Sequence, residues 1–491
     1  MEKFKLSENI DPNKVFIINH SELEGRLDSF FYINRPDFHN TIRLSKIAKI
    51  KGGKRIPKDA NYSDIDTPNL YLRVTDIDES TEFNYLNFKS ISDELYEKLK
   101  RYEVFENELI ISIAGTVGKT KVVKNIPDKK RVILTENCVK ILTNSDILPQ
   151  YLNIVLQTNF LQKQIELSYI QTTIPKLGID KILGLKIPQI PPLEIQQQIV
   201  DLYEKAYAEK QQKEAEAQRL LDSIDDYLLG ELGITLPKEE EFLPQDTDKN
   251  NSYNLDNDNP LVKKGRLFLT NLSEVTGKRI DPDYNSKYFY CLFQSLNNSI
   301  YPFERIKKYL KAIKTGTTPN QNLNVFTTEK EIPFLRNTNL KKYEIDIENT
   351  KYIRTKYKDF LTFSYKNEVI MCIAGTIGIS SVNVYDIPIS INQNVSSLRF
   401  SEEINPFFIS YWFNTNIFLS LAKRASSLAT ILYLNNDNLK SLPIPIPPLQ
   451  KQNEIAAHIS QIRSNANILM QQGKEILEQA KQEVERMILG N

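Results

Sequence analysis

Few features of this sequence point to disulfides, membranes or metals. Its 491 residues hold three cysteines, Cys138, Cys291 and Cys372. An odd number at such wide spacing argues against a disulfide framework and against a zinc cluster. No apolar run approaches the ~20 residues a membrane span needs, and the stretch from Met1 to Ser7 lacks the apolar core of a signal peptide. A cytoplasmic location is the expectation. His20, His39 and His458 are the only histidines, and no carboxylate accompanies them at metal-site or triad spacing.

Catalytic motifs are equally scarce. Gly115-Thr116-Val117-Gly118-Lys119-Thr120 resembles a phosphate-binding loop, but that pattern needs glycine at position 113, which is Ile113. A second copy, from Gly375 to Ser380, also lacks the lysine. Both read better as strand-to-strand turns that need small residues. Asn405-Pro406-Phe407-Phe408 is similar to the Asn-Pro-Pro-aromatic tetrapeptide of amino-methyltransferases. Phe407 replaces the second proline, and no glycine-rich cofactor loop accompanies it. Nothing in the sequence therefore points to catalysis.

What the chain does contain is a large apolar fraction and a duplication. At 41% hydrophobic and 25% charged it has the composition of a soluble globular protein with room for two to four domains. Ile190-Pro191-Pro192-Leu193-Glu194-Ile195-Gln196 has the form of a helix start. Proline is tolerated only at a helix's first turn, and Glu194 lies at the positive end of the helix dipole. Ile199, Tyr203, Ala206, Lys210, Lys213, Ala217, Leu220, Ile224 and Tyr227 then follow alternating steps of four and three, which predicts one seam on a long helix to Leu229. The pattern recurs 256 residues later from Pro447-Pro448-Leu449, with a seam of Ile455, Ile459, Ile462, Ala466, Leu469, Gly473, Ile476, Ala480 and Glu483. Two long helices of one phase predict a paired scaffold.

The sequences before the two helices also repeat. Tyr71-Leu72-Arg73 returns as Phe334-Leu335-Arg336, Asn107-Glu108-Leu109-Ile110 as Asn367-Glu368-Val369-Ile370, and Ser21-Glu22-Leu23 as Ser273-Glu274-Val275. The β-rich runs at Phe16–Ile18, Leu70–Val74, Leu109–Ile113 and Val139–Leu142 predict strands, and the segment from Pro149 to Leu167 has helical spacing. Each module is therefore mixed α/β. Between the shared anchors the copies differ strongly, so two modules share a frame and present different surfaces. The stretch from Leu236 to Pro260 is acidic, rich in Asn and unable to bury a core, and reads as a mobile linker.

The net charge of +1 conceals a division. Residues 194–231 carry −6, residues 236–259 carry −5 and residues 449–489 are neutral, which leaves +12 on the globular parts. This suits a polyanion partner. Lys51-Gly52-Gly53-Lys54-Arg55-Ile56-Pro57-Lys58 combines four cations with two glycines, so its backbone is expected to approach a phosphate chain closely. Its counterpart runs from Lys314 to Pro319. Lys119, Lys121, Lys176, Lys341, Lys342, Lys423 and Arg424 extend the candidate set, with Arg73 and its counterpart Arg336 among the stronger expectations.

At this point the residues match a known family. The chain resembles the specificity subunit of type I restriction-modification systems, in which a Pro-Pro-Leu-x-x-Gln-x-x-Ile signature introduces each spacer helix. Here the signature is Pro191-Pro192-Leu193-Glu194-Ile195-Gln196-Gln197-Gln198-Ile199, and again Pro447 to Ile455. The resemblance implies two target-recognition domains, a pseudo-two-fold repeat, and two long antiparallel coiled-coil helices meeting through Ile199, Tyr203, Ala206, Leu220, Ile224, Ile455, Ile459, Ile462, Leu469 and Ile476. The expected division is 1–189, first domain; 190–232, first helix; 233–264, acidic flexible linker; 265–446, second domain; 447–491, second helix. The resemblance also implies that the chain is a non-catalytic subunit without cofactor, each domain reading half of a split site in double-stranded DNA. Its partners would be two modification subunits using S-adenosylmethionine and restriction/translocase subunits using ATP and Mg. A coiled-coil adaptor that binds only proteins is the alternative.

Overall fold

The computed structural model describes residues 40–168 apart from 79, 175–238, 284–320, 324–426 and 432–490, with isolated positions before residue 40. Most of the acidic linker and the repeat at Ser21 and Ser273 lie outside the described residues. The chain divides into two compact units, Met1–Glu214 with Met470–Asn491, and Ala215–Leu469. No helix among the described residues is long and apolar enough to cross a membrane.

In the first unit, strands Ala48–Gly52, Cys138–Thr143, Leu109–Ser112 and Thr120–Val122 form an antiparallel sheet in that order. A second sheet orders Lys89–Ile91, Asn69–Leu72, Arg131–Leu134 and Glu103–Val104, with its central pair parallel. Leu109–Ser112 is buried at every residue because it has a core on each side. Leu109 and Ile111 pack among Leu152, Val155 and Leu161 of the helices, and Ile110 packs among Leu70, Leu72 and Val132 of the second sheet. A strand covered on both faces loses its polar alternation and reads as a continuous apolar run.

Two expectations for this unit need correction. Ile17 and Ile18 lie in no strand, and Phe16 is outside the described residues. The helix expected over Pro149–Leu167 is two helices, Pro149–Gln157 and Asn159–Ser168. Thr158 turns extended between them (φ −62°, ψ 152°). Its hydroxyl donates to Val155 O at 2.7 Å and accepts from Leu161 N at 3.4 Å, serving both helix ends.

The second unit repeats this plan. Leu310–Thr315, Val395–Phe400, Val369–Cys372 and Ser380–Val382 form the antiparallel sheet, and Ile332–Leu335 pairs parallel with Ile389–Ile391 in the other. Val369 and Met371 face a core containing Phe408, Trp412 and Phe418, while Ile370 and Cys372 face the opposite one. The unit adds an edge strand, Phe326–Thr327, and a hairpin of Leu340–Lys341 with Glu344–Ile345. Asn405-Pro406 is a helix start: the Asn405 side chain accepts from Phe407 N and Phe408 N, and Pro406 opens the helix. All three cysteines are buried and none forms a disulfide. Burial pushes the Cys138 thiol up to about 12 and the Cys372 thiol up to about 11.

The two signature sequences open helices Leu193–Leu232 and Leu449–Leu489. Gln196 is fully buried; its Nε2 donates to Pro191 O and Asp146 O, both at 2.9 Å, and its Oε1 accepts from Leu148 N at 2.9 Å. Gln452 does the same with Pro447 O, Glu403 O and Asn405 N. The first helix continues past Gly230 and stops at Gly233, whose φ is +65°. There Gly233 N donates to Gly230 O and Ile234 N to Leu229 O, the paired bonds of a Schellman cap. Ile234 is buried in the core of the second unit.

Within each unit the helices run antiparallel. In the first, Lys213 Nζ donates to Gln472 Oε1 at 3.0 Å, while Ile199 and Val200 share a core with Val484 and Ile488. In the second, Glu231 pairs with Lys451 at 2.5 Å and Tyr227 stacks on His458 with ring centroids 4.2 Å apart. No seam position is exposed, but only some of the bulky residues are fully buried. Leu220, Ile462, Leu469, Ile476 and Tyr203 are only half-buried, whereas Ala206, Ala217, Ala466, Gly473 and Ala480 are buried, as are Ile199, Ile224, Ile455 and Ile459 near the helix ends. Small residues let the backbones approach closely: a Cβ on Gly473 would stand 3.3 Å from Lys210 O. At that separation the larger side chains are displaced to the flanks of the seam.

Two glycines mark where the chain crosses between sheets. A Cβ on Gly53 would lie 2.0 Å from Thr135 O, and one on Gly316 would lie 2.2 Å from Ile391 O; Gly52 has nothing within 4 Å. Gly53→Ala and Gly316→Ala should each cost ~1–3 kcal/mol through overpacking. Gly52→Ala should leave the thermal midpoint nearly unchanged. Thermal unfolding of the three variants checks this, and equal losses at Gly52 and Gly53 would contradict the placement.

Candidate nucleic-acid interface

In the first unit, main-chain bonds gather the basic loops at the carboxyl end of the parallel strand pair. Leu72 lies opposite Leu134, and Thr135 N donates to Leu72 O at 3.1 Å, so Arg73 emerges beside Thr135 and Glu136. Lys54 N donates to Leu134 O and Gly53 N to Cys138 O, which draws the Lys51–Lys58 loop to the same end. Ile113 N donates to Asn137 O, and Ala114 bridges to Lys176, which brings in the glycine turn. Gly115 and Gly118 have φ of +80° and +86°, and Gly375 and Gly378 have +78° and +89°, so both copies are strand-to-strand turns. Lys51, Lys54, Lys58, Lys119 and Lys176 are exposed.

Side-chain pairing divides the remaining cations. Arg55 meets Glu136 at 2.5 Å. Burial pushes the Glu136 carboxyl up, but its hydrogen bonds to Arg55, to the main chain and to Thr135, with the Arg55 charge, together hold it below the ordinary value. Arg73 grips Asp76 with Nε at 3.1 Å and Nη2 at 2.6 Å, and Nη2 also donates to Asn87 O at 3.1 Å. Lys121 leaves the candidate set: its side chain is 2% exposed, and its ammonium is taken by Asp78, Ser80 Oγ and Glu82 O. Burial holds the Lys121 pKa below its usual value. Gly53 is also corrected, since its close approach is to the chain's own Thr135 and not to a phosphate.

The second unit has a different complement. Lys314 is exposed, with Nζ 5.3 Å from the centroid of the Tyr365 ring. Thr317 N donates to Ile391 O, as Lys54 N does to Leu134 O. Lys341 and Lys342 are exposed on a hairpin whose Tyr343 O accepts from Arg463 Nη2 at 2.9 Å, so they lie toward the long helix rather than at the strand ends. Lys423 is exposed, but Arg424 leaves the set. Its guanidinium sits 3.7 Å from the Tyr284 ring centroid, near Phe289 and Phe293, and donates to Tyr284 O. Sequence reasoning missed the run Lys351, Arg354, Lys356 and Lys358 before Phe360, which is 75% exposed and joined to the Gly316 loop through Thr317 Oγ1. The density of cations against the single Asp359 was the available signal.

The fold thus defines a duplicated α/β module joined by paired helices, with cations gathered at strand ends. The description "Type I restriction modification DNA specificity domain" belongs to a family model that matches residues 36–219 and again residues 305–479, and the chain belongs to that family. It is similar to the EcoDI specificity subunit of Escherichia coli, 31% identical over 72 residues, which is 15% of this chain and 16% of that protein. The EcoBI specificity subunit of Escherichia coli is 27% identical over 132 residues, 26% of this chain and 25% of that protein. The chain therefore spans about a sixth to a quarter of the length of these curated relatives. A solved chain from work on complex assembly and conformational transition of the type I R-M system shares the fold at a TM-score of 0.50 and 14% identity, covering 91% of this chain and 96% of that one.

Replacing both Lys54 and Lys119 with Ala should reduce the slope of log affinity against log salt by about two contacts' worth, at ~0.9 each. Lys121→Ala should instead lower the thermal midpoint and leave that slope unchanged. Duplex-binding titrations of the full chain at several salt concentrations, beside thermal melts, separate the two roles.

Proposed function

We propose that this chain is the recognition subunit of a type I restriction-modification assembly, each globular unit reading one half of a bipartite site in double-stranded DNA. The observation that carries this reading is one backbone frame, used twice, whose corresponding strand ends present different side chains. Lysines and arginines such as Lys51, Lys54, Lys119, Lys176 and Lys314 would hold phosphates, and polar groups at the strand ends would meet base edges. The domain division is proposed as 1–189 and 265–446 for recognition, 190–232 and 447–491 for the spacer, and 233–264 for the linker. Methylation by two modification subunits with S-adenosylmethionine, and translocation and cleavage with ATP and Mg, would belong to the partners. An adaptor that binds proteins alone is disfavoured by membership of a DNA specificity family.

Selection from a random-sequence duplex pool by the full chain tests the reading. Enrichment of two short fixed elements separated by a fixed gap is expected, and no enrichment at any salt would overturn it. Inserting four residues after Gln211 adds ~6 Å of helix. Both half-sites should persist while the unspecified gap lengthens by about one to two base pairs of ~3.4 Å. Changed half-site bases at an unchanged gap would mean that the helices do not set the spacing.

A further inference from the structure

The strand-end corners of the two units are matched in backbone and differ in charge. Thr135 N donates to Leu72 O, Cys138 N to Thr135 O and Ile113 N to Asn137 O in the first unit. Asn392 N to Leu335 O, Val395 N to Asn392 O and Ile373 N to Asn394 O repeat them in the second. This register sets Arg336 on Arg73, Asn339 on Asp76, Gln393 on Glu136 and Thr318 on Arg55. Each of the two carboxylates that neutralise arginines in the first corner is thus an amide in the second.

The consequence falls on Arg336. Both arginines cap a short 3-10 turn with the same backbone geometry, φ −110° and ψ 165° at Arg73 against φ −112° and ψ 164° at Arg336. Arg73 spends its Nε and Nη2 donors on Asp76. Asn339 cannot accept such a charge-assisted pair; its Oδ1 takes Arg336 N at 3.3 Å and its Nδ2 donates to Asn349 O at 3.1 Å. The Arg336 Nε is buried with no hydrogen-bond partner, and among the described residues its guanidinium has no ion pair. A buried, unpaired donor on a charged group is costly to keep, and a planar donor fork suits two adjacent acceptors. Gln393, exposed on the neighbouring strand end, and Asn337 add amide donors and acceptors beside it.

We propose that Arg336 contacts DNA in the second unit through a pair of adjacent acceptors, the O6 and N7 edge of guanine or two phosphate oxygens, whereas Arg73 is an internal strut. The two recognition units then use one arginine position for opposite purposes, and the residue three places further on decides which. This assignment rests on the recognition function proposed above and deepens it.

The experiment uses the full chain and the duplex selected by the wild type. Arg336→Ala should weaken binding about tenfold or more, the range of one lost bidentate contact. Asn339→Asp, which supplies the carboxylate found in the first unit, should do the same by capturing Arg336. Arg73→Ala should lower the thermal midpoint and leave affinity within about twofold. Reselection with Arg336→Ala distinguishes the acceptors: relaxed sequence in one half-site identifies a guanine, and uniform weakening with a smaller salt slope identifies a phosphate. If Asn339→Asp fails to fold, Arg336→Ala decides alone. Wild-type affinity in Arg336→Ala, or an equal loss in Arg73→Ala, overturns the assignment while leaving the recognition function standing. Failure of the wild type to select any duplex would instead sink that function.

Discussion

Everything beyond the sheets depends on a buried glutamine at the root of each long helix. Gln196 joins three main-chain groups, one from the proline pair before its own helix and two from the turn before Pro149. Pro192 O accepts from Ile195 N and Gln196 N in the first turn, whereas Pro191 O lies outside the helix and accepts from the Gln196 side chain. Gln196 itself is fully buried and its bonds are part-buried, so losing the amide should cost ~1–3 kcal/mol. Gln452 repeats the arrangement. The Pro-Pro-Leu-x-x-Gln signature is thus an anchoring device that fixes a helix to the module it follows.

Once anchored, the helices meet through small residues rather than large ones. Alanines and one glycine lie buried along the middle of the seam, isoleucines near its ends, and the leucines Leu220 and Leu469 ride at its margin. The helices approach closely at Gly473, where a larger group would press directly on Lys210.

The strand-end corners show how one backbone carries different chemistry. Main-chain hydrogen bonds repeat from unit to unit, so placement is shared. Function then turns on whether a cation is already satisfied within the chain, as Arg73 is by Asp76, Arg55 by Glu136 and Lys121 by Asp78. A satisfied cation contributes to stability or rigidity and offers little to a partner.

The sequence by itself determined the duplication, both helix starts, the phase of the seam and the glycine turns, because each is written in local spacing and in residues with narrow backbone preferences. It also determined the strands at Leu109 and Val139, whose apolar runs are long enough to be unambiguous. It did not determine where the Pro149 segment breaks, since Thr158 fits a helix until its hydroxyl finds both helix ends. Which cations stand free was decided only by tertiary structure. Lys121 meets Asp78 across 43 residues, Arg55 meets Glu136 across 81, and Arg424 meets Tyr284 across 140. Periodicity reports which side of an element is covered, but ion pairing depends on what the fold brings opposite each charge, and no local pattern encodes that.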